Sequence, residues 1–324
     1  MLKRIYIMPQ DHLLFAVPTV LIFSLLFGLY VDTSALSVTV TGAVIVMIFA
    51  TMVGLKMNEL TKLNAYKKLL TTAMLVNFIW VPFVATIIGF TVLRDEPHLF
   101  AGLALVALLP TSGMTIAWTG LQKGNVPAGI KLTVFGLVAG ALLTPWYLLL
   151  MVGEYVPINI GEILQTIFLV VAIPLILGQV VTKLLQRRFS AQEFQKKVKP
   201  AFAPLSIWGL LYIVFVSTSA RAEMLVNNLS LLAVAAIAIL LFFAANFVFA
   251  TWVAARFFKR EDGIALVNGT VLRNLSIAVG IAAASFDAEA ALLVTLAFMV
   301  QYQSITYYAK IAGRRWFRPK ELEA

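Results

Sequence analysis

The sequence contains no cysteine and has few charged residues. Lys, Arg, Asp and Glu make up 12% of its 324 residues, whereas soluble domains contain about 25%. The lack of cysteine excludes disulfides, thiolate metal ligands and a dithiol redox couple. Two isolated histidines do not make a metal site, and no Gly-rich phosphate loop or nucleophile–base pair is visible. We therefore expect no cofactor, no bound metal and no enzymatic activity.

Hydrophobic residues are abundant instead. They make up 61% of the chain, and the mean hydropathy is +0.94. The apolar runs are too long for the strands of a barrel, and helices satisfy every backbone hydrogen bond within lipid. The composition predicts an all-α integral membrane protein whose main partner is the lipid bilayer. The net charge of +10 is explained by basic loops held on the cytoplasmic side, so no nucleic-acid partner is expected.

A membrane-spanning helix needs about 20 apolar residues. Ten segments meet this requirement, at approximately 13–30, 35–55, 69–92, 98–121, 127–151, 163–184, 202–219, 228–256, 264–286 and 289–311. No long polar stretch interrupts them, which predicts a single membrane domain without a separate soluble domain. The first residues, "MLKRIYIMPQDHLLFAV", contain no small-residue cleavage site, so we interpret them as a retained N-terminus and not as a signal peptide.

The basic residues alternate with the predicted spans. With ten spans, 21 of the 25 Lys and Arg residues fall on the side of both termini, and only Arg94 and Arg221 fall on the other. Lys131 and Arg273 lie within spans. Because basic loops stay in the cytoplasm, this pattern predicts a multi-pass protein of the cell (inner) membrane with both termini cytoplasmic.

The ten spans divide into two groups of five. The first span of each group carries a similar phrase, "AVPTVLIFSLLFG" from Ala16 and "AIPLILGQVVTKL" from Ala172. Because five is odd, the second group enters the membrane from the opposite side. The sequence thus predicts an inverted repeat, with residues 1–155 as the first half and 156–324 as the second, an architecture common among secondary transporters.

Two cations lie within spans without an acidic partner at the same depth. Arg273 follows Gly263 by ten residues, and all fifteen carboxylates lie in loops, termini or span ends. Arg273 could snorkel to an interface, but its depth favours a functional role. Lys131 lies only about five residues into its span, so snorkelling and a role in the cavity both remain open.

Helix breakers and polar residues occur together in the fourth and ninth spans, within "LLPTSGMTIAW" and "VNGTVLRN". Pro and Gly are frequent in membrane helices, yet interrupted spans at matching positions of two halves indicate a transport site. Other mid-span polar residues could line the same cavity or join helices. The predicted substrate- or ion-binding residues are Arg273, Asn274, Asn268, Gly269, Thr270, Thr111, Ser112, Gly113, Thr115, Asn77, Thr133, Lys131 and Gln301.

The stretch "PTSGMTIAWTGLQKGNVPAGIKLTVFGLVAGALLTP", residues 110–145, resembles the fourth and fifth spans of the bile acid/sodium symporter superfamily. The stretch "LVNGTVLRNLSIAVGIAAASF" is similar to the ninth-span motif of that superfamily. The resemblance implies ten helices as a five-plus-five inverted repeat, with a panel domain and a core domain. It also implies that the broken fourth and ninth helices cross in the core beside the substrate cavity.

The sequence departs from this resemblance at the residues that would bind sodium. Gly269 stands where sodium-coupled members have a Glu ligand, and Arg273 stands where they have a Gln ligand. The fourth-span Ser-Asn pair is Thr115-Ile116, and a fifth-span Ser is Gly129, whereas Thr133 is retained. Asn77 falls at the position of a third-span Gln. The resemblance therefore implies transport without the usual sodium sites.

The arsenical resistance transporters form a related branch, and their ninth span can also read Arg-Asn. Their characteristic fourth-span Cys is absent here, where Thr111 is the nearest counterpart. We therefore expect a secondary transporter of a small or organic anion. Efflux of arsenite or a metalloid oxyanion is the alternative, and a channel or membrane receptor is the alternative of another class. The sequence indicates no protein partner.

Overall fold

The computed structural model describes residues 6–9, 12–55, 66–220, 222–227 and 229–315. Helices account for nearly all of the first half of this part of the chain. They are α1 (Leu13–Gly28), a 3-10 turn (Ser34–Thr39), α2 (Val40–Met52), α3 (Lys67–Leu75), a π-helical segment (Val76–Trp80), α4 (Val81–Thr91), α5 (Pro97–Leu108), α6 (Gly113–Leu121) and α7 (Val126–Val152).

The second half is helical as well. It contains α8 (Ile160–Ile167), a π-helical segment (Phe168–Ala172), α9 (Ile173–Gln186), α10 (Ala191–Glu193), a π-helical segment (Phe194–Val198), α11 (Lys199–Ser219), α12 (Ala222–Asn227), α13 (Leu229–Phe257), α14 (Arg260–Val271), α15 (Leu275–Ser285) and α16 (Ala288–Arg315). The described residues contain no strand, and the prediction of an all-α membrane fold is confirmed.

Each of the ten predicted spans coincides with helix. Eight helical runs are long and apolar enough to cross a membrane, and a ninth is the pair α5–α6, which bends by 58° at its break. The first predicted span corresponds to α1, which is shorter, with 16 residues. The arrangement of the two halves as an inverted repeat stays a prediction.

The helices pack as two groups. α11 packs on α1 and α2, and α9 also packs on α2. The other group contains α13 against α14, α5 against α16 and α7, and α15 against α16. In α14–α15, 94% of the most apolar 18-residue stretch is buried, against 28% in Ile160–Gln186. The broken ninth span is therefore the interior of the second group, which is where the resemblance places the core.

Local sequence explains where the fourth span breaks. Pro110 has no N–H to donate, and Thr111 adopts a φ of 60°, which is costly for a β-branched residue. Helix α6 then restarts with a capping box, in which the Ser112 hydroxyl accepts from the Met114 amide at 3.2 Å and the Thr115 hydroxyl accepts from the Ser112 amide. These bonds satisfy amides at the start of α6.

The ninth span breaks in a similar way. Helix α14 ends at Val271, and Asn274 caps α15 by accepting a bond from the Ile277 amide at 3.4 Å. The backbone N–H of Asn274 donates to the carbonyl of Leu109 at 2.8 Å. This bond joins the two breaks directly, so the interruptions of the fourth and ninth spans lie side by side.

Replacing Gly102 with alanine should destabilise the protein, because α5 and α16 approach closely at this residue. A Cβ at Gly102 would lie 2.6 Å from the Ala290 carbonyl oxygen and 3.0 Å from its Cα, both of which are backbone atoms. We expect a loss of about 1–3 kcal/mol, typical of overpacking, measured as a lower Tm in detergent. Gly42→Ala is the matched control, since its Cβ would meet nothing within 4 Å. Equal Tm values for the two variants would contradict the close approach.

Candidate functional site

The side chain of Arg273 lies at the junction of the two broken spans and is 1% exposed. Its Nε donates to the Val106 carbonyl at 3.0 Å, and its Nη2 donates to the Ala107 carbonyl. Its Nη1 donates to the Thr270 carbonyl at 2.9 Å and to Asn77 Oδ1. The guanidinium is thus held by three backbone carbonyls and one amide oxygen.

The three carbonyls have a common origin. Val106 and Ala107 are in the last turn of α5, and Thr270 is in the last turn of α14. The last four carbonyls of a helix have no partner within the helix and carry its partial negative charge. Arg273 therefore caps the carboxyl-terminal ends of both half-helices at once, which explains how a cation without a carboxylate partner is accommodated at this depth.

Asn77 orients the guanidinium from the third span. It is fully buried in the π-helical segment Val76–Trp80. Its Nδ2 donates to the carbonyls of Ala73 at 3.0 Å and Gly269 at 3.1 Å. Because these two bonds fix the amide, Oδ1 is turned toward Arg273. A π-helical turn at this residue fits the frequent occurrence of such turns at functional sites.

A cavity of about 550 Å³ lies next to this junction, between the two helix groups. One wall comes from α2 and α11, and the other comes from the broken spans, α7 and α16. Six of the predicted site residues line it: Ser112, Gly113, Thr133, Arg273, Asn274 and Gln301. The structure thus brings residues of four spans, the fourth, fifth, ninth and tenth, to one cavity.

Both amino-terminal half-helix ends face the cavity. Gly113 and Met114 begin α6, Leu275 and Ser276 begin α15, and all four line the wall. Helix N-termini carry unpaired amides and a partial positive charge, so they bind anions. The tenth span supports this region, because Gln301 Oε1 accepts from the Arg273 amide at 2.7 Å.

The remaining predicted residues do not line this cavity. Five lie with Asn77 at the crossing of the half-helices: Thr111, Thr115, Asn268, Gly269 and Thr270, of which the four non-glycine side chains are buried. They hold the half-helices together, for example by the Thr115 hydroxyl bond to the Asn268 carbonyl at 3.4 Å and the Asn268 Nδ2 bond to Thr119 Oγ1 at 3.2 Å.

Lys131 also lies outside the cavity lining. Its side chain is 3% exposed, and its Nζ lies 5.4 Å from the centroid of the Tyr66 ring. This distance is within the range of a cation–π contact. The structure therefore separates Lys131 from the cavity that Thr133, two residues further along α7, does line.

The sequence analysis missed the polar residues of the opposite wall. Lys199 and Ser206 line the cavity from α11, and the Lys199 Nζ donates to the Gly54 carbonyl at 3.4 Å. A weak signal existed: Lys199, Ala203, Ser206 and Leu210 recur at helical spacing and all line the cavity. By composition Lys199 belongs to the polar, basic stretch "QRRFSAQEFQKKVKP", residues 186–200. Its place in the wall could therefore not be distinguished from a loop position.

Comparisons with known proteins point to one family. The sequence model of the Sodium Bile acid symporter family matches residues 41–228, more than half of the chain. The chain is 25% identical over 250 residues to the uncharacterized protein YbaS of Bacillus subtilis, covering 76% of this chain and 79% of that protein. It is also 30% identical over 180 residues to sodium/bile acid cotransporter 7 of Xenopus tropicalis, covering 53% of this chain and 50% of the cotransporter.

A more distant likeness reaches the arsenical resistance proteins. The chain is 20% identical over 239 residues to the arsenical-resistance protein Acr3 of Corynebacterium glutamicum, covering 65% of this chain and 64% of that protein. The predicted resemblance to both branches of the superfamily is confirmed by these matches.

Proposed function

The chain belongs to the Sodium Bile acid symporter family, and from this membership we propose that it is a secondary transporter of a small organic anion that works without sodium. The family consists of membrane transporters. We therefore start from a multi-pass transporter and not from an enzyme. The observation that carries the rest of the proposal is the guanidinium of Arg273 capping two broken helices.

Arg273 serves as a built-in cation in this proposal. In many secondary transporters, unwound carbonyls and the carboxyl-terminal ends of half-helices coordinate a sodium ion or a proton. Here the carbonyls of Val106, Ala107 and Thr270 receive the guanidinium instead. The guanidinium then provides the positive charge that a bound ion would provide. Unlike an ion, it stays in place throughout the transport cycle.

The substrate is proposed to bind in the cavity next to this charge. Its anionic group lies at the amino-terminal ends of α6 and α15, next to Ser112 and Asn274, where amides and hydroxyls can donate. Its apolar part contacts the side chains of Met52, Leu137 and Phe298. A cavity of about 550 Å³ is within the usual range for a small organic ligand, roughly 300–1,000 Å³.

Transport should not depend on sodium. We expect equal initial rates of counterflow in proteoliposomes whether sodium or choline is the external cation, because Gly269 and Arg273 occupy the positions of sodium ligands in the resemblance. An ionophore that removes the proton gradient controls for proton coupling. A rate that rises saturably with sodium concentration would show that carbonyls alone build an ion site, and the proposal would fail.

Efflux of arsenite is the second candidate, favoured by the likeness to Acr3. The chain offers no thiol, so arsenite would have to bind through the hydroxyls of Ser112 or Thr133, which line the cavity. Thermal-shift measurements distinguish the candidates, because organic anions should raise the Tm and arsenite should not. A shift with arsenite alone would favour the second candidate.

The orientation proposed for the protein places both termini in the cytoplasm of a cell with an inner membrane. The two halves, residues 1–155 and 156–324, would then run in opposite directions. Because the chain has no cysteine, single cysteines report on it directly. In intact cells, an impermeant thiol reagent should label Asp95→Cys and should leave Gln192→Cys unlabelled. The reverse labelling pattern would contradict the orientation.

A further inference from the structure

A second cavity opens on the side of the protein, between α13 and α16, and is distinct from the transport cavity. It encloses about 510 Å³. One face of α13 lines the groove along its whole length, and Tyr308 of α16 lies opposite. The main lining residues are Phe247, Val248, Thr251, Trp252, Arg256 and Tyr308. Val248 is 72% exposed and Trp252 is 57% exposed, so this groove faces the lipid.

The chemistry of the groove changes along its length. Phe247 and Val248 make one end apolar. Midway, the hydroxyls of Thr251 and Tyr308 bond to each other at 2.7 Å. Arg256 lies at the other end, where its guanidinium carbon is 5.7 Å from the centroid of the Phe257 ring. The apolar end, the hydroxyl pair and the cation follow one another in the same order as the acyl chain, the glycerol ester and the phosphate of a phospholipid.

The charge at the Arg256 end is reinforced from another helix. Lys68 Nζ donates to the Phe257 carbonyl at 3.0 Å, next to Arg256. The groove also has the length of one leaflet. Arg256 follows Phe247 by nine positions, which is about 13 Å along a helix, and half of a bilayer core is about 15 Å. Trp252, an exposed tryptophan near the helix end, is typical of the membrane interface.

We propose that this groove binds one anionic phospholipid, with its phosphate at Arg256 and one acyl chain against Phe247 and Val248. A second copy of the protein is a poorer occupant. A twofold interface would place the same surface patch on both sides, so it would offer Arg256 a second cationic patch and no anionic partner. Anionic headgroups attract basic side chains at the bilayer surface. The phosphate of such a lipid would therefore pair with the Arg256 guanidinium.

Native mass spectrometry of the purified full chain tests the proposal. Phosphatidylglycerol and phosphatidylcholine with identical acyl chains are each added to the protein in detergent, and the bound lipid is counted. We expect phosphatidylglycerol to be retained preferentially. Arg256→Gln should weaken its binding about fivefold, the effect expected for one basic residue near anionic lipid. Arg256→Lys should retain most of the preference.

Two further variants make the result specific. Arg187→Gln removes an exposed arginine at the end of α9, away from the groove, and should leave lipid retention unchanged. Ala255→Phe places a ring in the groove without altering charge and should reduce retention of both lipids. Equal retention of the two lipids by the unmodified protein, an equal loss in Arg187→Gln, or a dimer that Ala255→Phe dissociates would each overturn the proposal.

Discussion

Replacing Arg273 with alanine should lower the free energy of unfolding by about 3–5 kcal/mol, because four buried oxygen atoms lose their charged donor. The substitution leaves the carbonyls of Val106, Ala107 and Thr270 without their donor, together with Asn77 Oδ1. Each unsatisfied buried group costs about 1–3 kcal/mol. Transport should be lost with the fold of the crossing, and thermal unfolding in detergent measures the effect.

A suitable control is another arginine that donates to backbone carbonyls. Arg260 begins α14 and donates to the carbonyls of Gln122 and Lys123 at 3.3 and 3.4 Å, but it is only partly buried. Because water can replace those bonds, Arg260→Ala should cost less than about 1 kcal/mol. If Arg273→Ala kept both its Tm and its transport rate, the bonds of the guanidinium at the crossing would serve neither stability nor transport.

Milder substitutions of Arg273 separate its two possible roles. If Arg273 stands in for sodium, the double variant Arg273→Gln with Gly269→Glu should regain partial sodium dependence of transport. A side chain at Gly269 meets the flexible end of Leu132 at 2.9 Å, so a glutamate can be accommodated. If Arg273 instead contacts the substrate, Arg273→Gln should raise the KM while the double variant stays indifferent to sodium. Arg273→Lys should be a poor substitute for a guanidinium that bonds several oxygens in one plane.

Replacing Gly113 with leucine should strongly reduce transport and leave the fold intact. Gly113 is the first residue of α6 and lines the transport cavity, and a Cβ there meets nothing within 4 Å. A leucine would therefore occupy the space proposed for the anionic group. An overlap that weakens binding by about 1.4 kcal/mol is already a tenfold effect, so we expect at least roughly a tenfold loss of transport.

The stability of this variant distinguishes blocking from unfolding. Glycine within a helix is less stable than alanine by roughly 0.5–1 kcal/mol, so Gly113→Leu should keep the Tm or raise it slightly. Gly42→Leu is the matched control, because its Cβ is equally unobstructed but Gly42 does not line the cavity. It should transport normally. Normal transport by Gly113→Leu would contradict binding at the amino-terminal ends of the half-helices.

The sequence by itself determined which segments are helices and where two of them break. Apolar runs of sufficient length specify spanning helices, since lipid admits no unpaired backbone, and all ten predicted segments coincide with helix. Pro110 predicted the first interruption, because proline weakens helix wherever it occurs. The stretch "VNGTVLRN" predicted the second, although the helix continues through Gly269 and ends at Val271. Counting residues also predicted that Arg273 lies far from either end of its span.

Only the tertiary structure decided what Arg273 binds. Its partners Val106 and Ala107 are more than 160 residues away in the chain, and the atoms that accept its bonds are backbone carbonyls. Every residue has a carbonyl, so residue type carries no information about which ones face a distant guanidinium. The direction in which Asn77 points and the wall formed by Lys199 and Ser206 depend on helix rotation and packing in the same way. The sequence specifies the chemistry of each side chain, whereas folding determines which backbone atoms surround it.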